Sequence, residues 1–254
     1  MTGRSKPSMI VFAQLSDTHL DGGQHRADRV RAVMASLAGG REPLDAVLVT
    51  GDVADHGLPS EYEQARSLLA GPWPVLVCPG NHDERAAFRR VLLGGEGDLP
   101  INQVHRLPGA VFALCDSTIP GQDDGYLADD TLAWLDSELR ADPATPAFVV
   151  LHHQPVLLHT ETSDVIRLSG EDRLAAVIGR HPQVVAVLCG HAHSAAATTF
   201  AGRPLLVAPG VVSTSALPWE ERDHADLAAP PAVAYHALGG DGRLITHYRP
   251  VALR

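Results

Sequence analysis

Val49-Thr50-Gly51-Asp52-Val53-Ala54-Asp55 is the stretch that decides the fold. Val47, Leu48, Val49 and Thr50 are apolar or β-branched without interruption and read as a short buried strand. The strand stops at a glycine and a carboxylate follows. A strand ending in Gly-Asp puts that carboxylate at the C-terminal edge of a sheet, where open α/β folds hold their ligands. One such Asp is weak evidence, because Asp caps many turns after strands. Its company raises it: Asp17 and His19 follow one apolar run, Asn81 and His82 a second, His152 a third, and His191 and His193 a fourth. All of these groups end strand-like segments, so one sheet edge can gather them, with Asp52 as the carboxylate between two metal ions.

Outward from that stretch the chain alternates. Strands are expected over Met9–Leu15, Asp45–Thr50, Pro74–Cys78, Ala147–Leu151 and Val184–Cys189, and a hairpin over Gln103–Leu107 and Ala110–Cys115. Helices are expected over Arg26–Leu37, from Pro59 and Ser60 onward with Tyr62, Ala65, Leu68 and Leu69 as the buried stripe, around Phe88, Val91 and Leu92, and over Asp129–Leu139 and Gly170–Arg180. Extended segments near 196–200, 204–208, 231–238 and 244–249 follow. The pattern is α/β, two packed sheets with helices outside, in one domain over residues 9–254 behind a disordered tail of residues 1–8. The irregular segments near 155–169 and 210–230 are candidate substrate loops.

The chain has 254 residues, 45% hydrophobic and 20% charged, the composition of an ordinary globular protein. No apolar run approaches the ~18 residues of a membrane span, and the start lacks the apolar core of a signal peptide. The three cysteines, Cys78, Cys115 and Cys189, end apolar runs without Cys-x-x-Cys spacing, which reads as buried structural thiols in a cytoplasmic protein. A formal charge of −10 argues against an extended nucleic-acid surface and says little about a pocket that holds cations.

Carboxylates, imidazoles and an amide form a mixed O/N ligand set, which suits Mn, Fe, Zn or Co better than Ca or Mg. One shared carboxylate holds two cations about 3.5–4 Å apart, the spacing of two-metal hydrolytic sites. Any one of these short motifs alone is more often a turn; their combination, each after an apolar run, carries the metal reading.

Ser16-Asp17-Thr18-His19, Gly51-Asp52-Val53-Ala54-Asp55, Gly80-Asn81-His82-Asp83, Leu151-His152-His153 and Gly190-His191-Ala192-His193 together resemble the five signature blocks of the calcineurin-like metallophosphoesterases. The resemblance spans residues 16–193 and is nearest to the bacterial class III cyclic-nucleotide phosphodiesterases and related glycerophosphodiesterases. It implies a four-layer α/β/β/α sandwich of two mixed β-sheets flanked by helices. It also implies that Asp17, His19 and His193 hold one transition-metal ion, that Asn81, His152 and His191 hold the other, and that Asp52 is shared. A hydroxide bridging the ions is then the nucleophile, and His82 is the catalytic group that meets the leaving oxygen.

Two departures stand out. Asp55 occupies the position where purple acid phosphatases carry a Tyr, so no tyrosinate–iron chromophore is expected, and Gln154 stands where many cyclic-nucleotide enzymes have Pro. Around the blocks, Asp83 is expected to cap a helix, His153 to sit behind the ligands, and Arg85 to form an exposed ion pair. His25, His159 and His224 fall in candidate pocket loops. The function this implies is hydrolysis of a small phosphodiester, such as cyclic AMP or a glycerophosphodiester. The alternatives are a monoesterase or nuclease on the same site, the latter opposed by 30 acidic against 20 basic residues, and a scaffold, opposed by the complete ligand set. Oligomeric state stays open, a homodimer included.

Overall fold

The computed structural model describes residues 9–221 and 225–253, so the expected tail over residues 1–8 and His224 lie outside the described residues. In chain order the elements are β1 (Ile10–Leu15), α1 (Gln24–Ala38), β2 (Ala46–Thr50), α2 (Pro59–Leu68), β3 (Val75–Cys78), α3 (Arg85–Phe88), β4 (Gln103–Leu107), β5 (Ala110–Leu114), β6 (Gly125–Tyr126) and α4 (Asp129–Ala141). They continue with β7 (Ala147–Val150), β8 (Leu168–Ser169), α5 (Glu171–Gly179), β9 (Val184–Cys189), β10 (Ala196–Phe200), β11 (Arg203–Val207), β12 (Thr214–Ser215), β13 (Ala225–Asp226), β14 (Ala232–Leu238) and β15 (Leu244–Pro250).

One sheet has the order β15-β14-β1-β2-β3, and the other β10-β11-β9-β7-β5-β4. Each is mixed: β1, β2 and β3 are parallel, as are β5, β7, β9 and β11, with antiparallel strands at the margins. Side chains alternate between faces along a strand. In β1, Ile10 and Phe12 enter the core between the sheets, whereas Ala13 and Leu15 face α1 and α2. Phe12 meets Phe112 edge-on at 4.9 Å and Phe148 at 5.0 Å across that interface. The outer face of the second sheet packs on Leu132, Leu135 and Leu139 of α4 and Leu174, Val177 and Ile178 of α5. The result is the expected four-layer sandwich, and the parallel strands of both sheets aim their C-terminal ends at one edge.

Three local features differ from expectation. The helix after β3 is one α-turn that widens into a π-helical turn over Arg89–Leu93 and ends at Gly94 with φ 70°. The two irregular segments each carry a short ladder: β8 pairs with β6, and β12 with β13. The three cysteines are free and buried, as expected.

A buried polar chain runs beneath the strand ends. Gln14 Nε2 donates to Thr50 Oγ1 (3.1 Å) and to the Cys189 carbonyl (2.9 Å), joining the two sheets. Its Oε1 accepts from His236 Nε2 (3.0 Å), and His236 Nδ1 accepts from the Thr246 hydroxyl (2.9 Å). Burial pushes His236 down to about 3. The unfolded chain therefore binds more protons than the folded one between about pH 6.5 and 3, and His236 favours folding fully above that window and progressively less as pH falls through it. One such proton is worth a slope of about 1.4 kcal/mol per pH unit. His236→Gln is expected to flatten unfolding free energy against pH between pH 6 and 4 by up to that slope; chemical denaturation at fixed metal content measures it, and an unchanged slope refutes it.

Candidate metal centre

The loops after the strands continue the pairing that the strands begin. Asp17 N donates to the Gly51 carbonyl (3.1 Å), His19 N to Asp52 (2.9 Å) and Leu20 N to Val53 (3.0 Å), so residues 17–20 lie beside 51–53. Gly190 N donates to the His152 carbonyl (3.0 Å), and Val212 N to Asp17 (3.0 Å). Held this way, Asp17 (φ 55°), His19 (41°), Asp52 (47°), His191 (68°) and His193 (49°) all adopt the left-handed conformation. Side chains rarely tolerate it, and where it persists the surroundings over-determine it.

Two glycines make the approach possible. A Cβ on Gly51 would stand 2.3 Å from His152 Nδ1, and one on Gly80 2.2 Å from Asp52 Oδ1. Neither position admits a larger residue without displacing a member of the cluster.

Asp52 Oδ2 lies 3.4 Å from His19 Nε2 and 3.4 Å from His152 Nε2. Asp17 Oδ1 lies 3.5 Å from His193 Nε2 and 4.0 Å from His152 Nε2. His19 Nε2 faces His193 Nε2 at 3.1 Å, and His152 Nε2 faces His191 Nδ1 at 3.1 Å. Asp17, His19, Asp52 and His193 each offer an atom within 4.8 Å of all the others.

The residues fit two cations on the protein's own chemistry. His19 Nδ1 donates to Asp55 Oδ1 (3.0 Å) and His152 Nδ1 to the Thr50 carbonyl (2.7 Å). In the neutral rings both Nε2 lone pairs are thereby turned inward, the tautomer a metal ligand needs. Two nitrogens bound to one ion at 2.0–2.1 Å stand about 2.9–3.4 Å apart, which matches both facing pairs. Asn81 Oδ1 and His191 Nε2 are buried without any hydrogen-bond partner. An unpaired buried acceptor is costly, and in Asn81 it marks a position for a cation.

Residues 10–195 match the family described as calcineurin-like phosphoesterase. A glycerophosphodiester phosphodiesterase of Enterobacter lignolyticus is 32% identical over 248 residues, covering 91% of this chain and 88% of that one. A probable cyclic nucleotide phosphodiesterase of Rhodococcus erythropolis is 35% identical over 219 residues, covering 81% and 72%. A crystal structure of a dimetal phosphatase from Danio rerio shares the fold, with a TM-score of 0.67, 16% identity and coverage of 96% and 99%. The chain belongs to the calcineurin-like phosphoesterases. It is therefore a phosphoric-ester hydrolase whose His/Asp cluster fits a dinuclear metal site.

In this calcineurin-like phosphoesterase burial would lift the Asp52 carboxyl, but the His152 and His19 imidazoles hold it well below the ordinary carboxylate range. Burial pulls His152 down, and the Asp52 charge reverses that and lifts it to about 9. His153 is pushed down to about 3 by burial and by its neighbour His152. Its Nδ1 meets Ser117 Oγ (2.8 Å) and its Nε2 the Asp123 carbonyl (3.1 Å), so neither nitrogen is free for an ion.

Two expectations are corrected. Asp83 does not cap the helix: its carboxylate accepts from the backbone N–H groups of Val53, Ala54 and Gly80 and ties two site loops together, while Glu84 caps α3 through Ala86 and Ala87. The loops are near enough for a buried carboxylate to reach three unpaired donors, and that outweighs the local cap. Arg85 is not an exposed pair: its side chain is 13% exposed and its Nε lies 2.8 Å from the wholly buried carboxylate of Asp116. His25 and His159 are exposed and join none of the potential metal clusters.

Sequence reading missed three supporting residues. Asp55 orients His19, is itself paired with Arg26 (2.7 Å), and lends its carbonyl to His82 Nδ1 (2.8 Å). Ser213 meets His193 Nδ1 (2.7 Å) from the loop near 210–230. Arg29, buried on α1, pins that loop through the carbonyls of Val211, Leu227 and Ala229. Only Asp55 carried a signal, since it stands inside a signature block. Because Gly80 is filled from behind by Asp52, Gly80→Ala is expected to destabilise the protein by about 2–3 kcal/mol, as overpacking does; denaturant unfolding reads it, and a loss under about 0.5 kcal/mol would show that the loop yields freely.

Proposed function

We propose that the chain hydrolyses a small phosphodiester, first a 3′,5′-cyclic nucleotide such as cyclic AMP, at a centre in which Asp52 serves two cations. The observation that carries this is the equal 3.4 Å separation of Asp52 Oδ2 from one imidazole of each half of the cluster. In this reading Asp17, His19, Asp52 and His193 hold one ion, and Asp52, Asn81, His152 and His191 the other. When bound, two transition-metal ions of the Fe, Mn, Zn or Co kind neutralise phosphoryl charge and depress the pKa of water to near neutrality. A glycerophosphodiester is the second reading, favoured by the relative of that name, which matches 91% of the chain.

The protein's own residues divide the remaining work. Asp52 Oδ1 accepts from His82 N (3.0 Å), and Asp17 accepts from His191 N (3.2 Å), so both carboxylates are fixed by backbone donors before any ligand arrives. His82 is exposed enough to meet substrate, and its Nδ1 donates to the Asp55 carbonyl, leaving Nε2 toward the ester. Since Nδ1 already holds a proton, His82 protonates a leaving oxygen only as imidazolium. We also take residues 9–254 as one domain, because both sheets contribute ligands, and keep a cytoplasmic location on the three free buried cysteines. No described helix is long and apolar enough to cross a membrane, and a homodimer is compatible with this reading.

Asp52→Ala is expected to drop bound metal from about two ions per chain to near zero, because neither half retains a shared anion; elemental analysis of the desalted protein reads it. Retention of one full equivalent would remove the bridging role.

His82→Ala tests the leaving-group step. General acid help is commonly worth about 10²–10⁴-fold, and p-nitrophenolate leaves well without it. The variant should therefore keep much of its activity on bis(p-nitrophenyl) phosphate and lose most of it on cyclic AMP, with metal content unchanged. Equal losses on both would remove the acid role, and lost metal would make His82 a ligand.

A further inference from the structure

A cavity of about 320 Å³ opens beside Asn81 and His82, lined also by Arg85, Asp98, Thr118 and Ile119. That volume is at the small end of ligand sites. Its position next to His82 makes it the space into which the leaving half of a diester extends, an assignment that rests on the phosphodiesterase reading above.

Arg85 is the one Arg or Lys on its wall. Its guanidinium is fixed from behind. Nε lies 2.8 Å from Asp116 Oδ2, and Nη2 donates to the Thr118 carbonyl (2.8 Å). Asp116 is in turn saturated by Ile101 N (2.8 Å), Thr118 N (2.9 Å) and the Thr118 hydroxyl (2.6 Å). Nη1 makes no hydrogen bond among the described residues. The ion pair with Asp116 and the one hydrogen bond to Thr118 fix the planar guanidinium, while the buried Nε makes no hydrogen bond among the described residues, so little rotamer entropy is lost when the remaining N–H groups bind. The Thr118 hydroxyl donates to Asp116 and keeps acceptor capacity.

The charge around the cavity narrows the ligand. Arg85 is already balanced by Asp116, and Asp83, Glu84 and Asp98 add three carboxylates to the wall. A second anion would be repelled there. A hydroxyl accepts from Arg85 and donates to a wall acceptor, satisfying both. We propose that Arg85 binds a hydroxyl on the carbon next to the leaving oxygen, and so selects diesters whose leaving alcohol is a vicinal diol. The 3′-oxygen of a ribonucleotide, with its 2′-hydroxyl, has that chemistry, and so does a glyceryl ester.

The test uses the metal-loaded full chain and two substrate pairs that differ in the hydroxyl: cyclic AMP against 2′-deoxy cyclic AMP, and bis(2,3-dihydroxypropyl) phosphate against dipropyl phosphate. The parent should prefer the hydroxylated member of at least one pair by about 10–100-fold in kcat/KM, chiefly through KM, the range that a hydrogen bond to a charged group supplies. Whichever pair shows the preference names the source of the diol. Arg85→Gln should bring that ratio to within about threefold of one, and Arg85→Lys, which keeps the charge and loses the fork, should fall between. As a readout apart from turnover, glycerol 3-phosphate should bind the metal-loaded parent more tightly than propyl phosphate by calorimetry, and Arg85→Gln should erase the difference. A parent without preference in either pair overturns the proposal whatever the variants do. Equal loss on both members of a pair also overturns it, leaving Arg85 a structural partner of Asp116. If the loaded parent hydrolyses none of these nor bis(p-nitrophenyl) phosphate, the phosphodiesterase reading falls, and the diol preference with it.

Discussion

The structure depends on one close approach: the Asp52 carboxylate on one sheet and the His152 imidazole on the other, 3.4 Å apart. Two sheets packed face to face keep about 10 Å between their backbones. Their ends therefore meet only if the chains beyond the strands lean toward each other. Gly51 and Gly80 remove the Cβ atoms that would block this, and the left-handed turns at Asp17, Asp52 and His191 aim the side chains inward. The inter-sheet core sets the separation from below, through the Phe12, Phe112 and Phe148 contacts and the Gln14 bridge to Cys189. A change of sheet separation there would be felt at the ligand atoms, since the interior is close-packed.

How much of this was legible follows from what kind of constraint each residue obeys. Asp17, His19, Asp52, Asn81, His152, His191 and His193 could be named as candidates because ligation admits few residue types, and each stands directly after an apolar strand that periodicity reveals. The two-sheet sandwich was legible for the same reason, with near-continuous apolar runs in β2, β5 and β9. Ser213 and Arg29 were not, because a hydroxyl and a guanidinium in contact with a loop carry no pattern of their own. Asp83 and Glu84 are adjacent carboxylates before the same helix, and propensity cannot tell them apart. The distance to Val53 and Ala54, set by the packing of two loops, decided which one caps. Arg85 was misread because its burial depends on Asp116, at the end of a strand in the other sheet.

The residues around the cluster form a second set of constraints that orient its side chains. Asp55 joins His19, Arg26 and, through its carbonyl, His82. The imidazole of His19 in turn keeps the Asp55 carboxyl well below its ordinary range, so it stays an acceptor. A Tyr at that position could not serve Arg26 and His19 in this way, because a phenol is neutral at neutral pH and has one oxygen. The departure from the purple acid phosphatase pattern is thus more than a lost chromophore: it changes what orients the neighbouring histidine.

That preorganisation has a thermodynamic consequence. Five non-glycine residues of the centre sit in the left-handed region, and each costs on the order of 1 kcal/mol or more. Together this is on the order of 5 kcal/mol, comparable with the whole net stability of an ordinary domain. The strain must be opposed by the packed sheets and by the backbone bonds that extend the ladder between residues 17–20 and 51–53. Anything that binds only the folded centre adds to that opposition by mass action, about 2.7 kcal/mol at a hundredfold excess over its dissociation constant. The arrangement that gathers carboxylates and imidazoles into one cluster is therefore the same one that strains the backbone beneath it. Local strain and stability are two views of one set of backbone torsions at the ends of three strands, β1, β2 and β9.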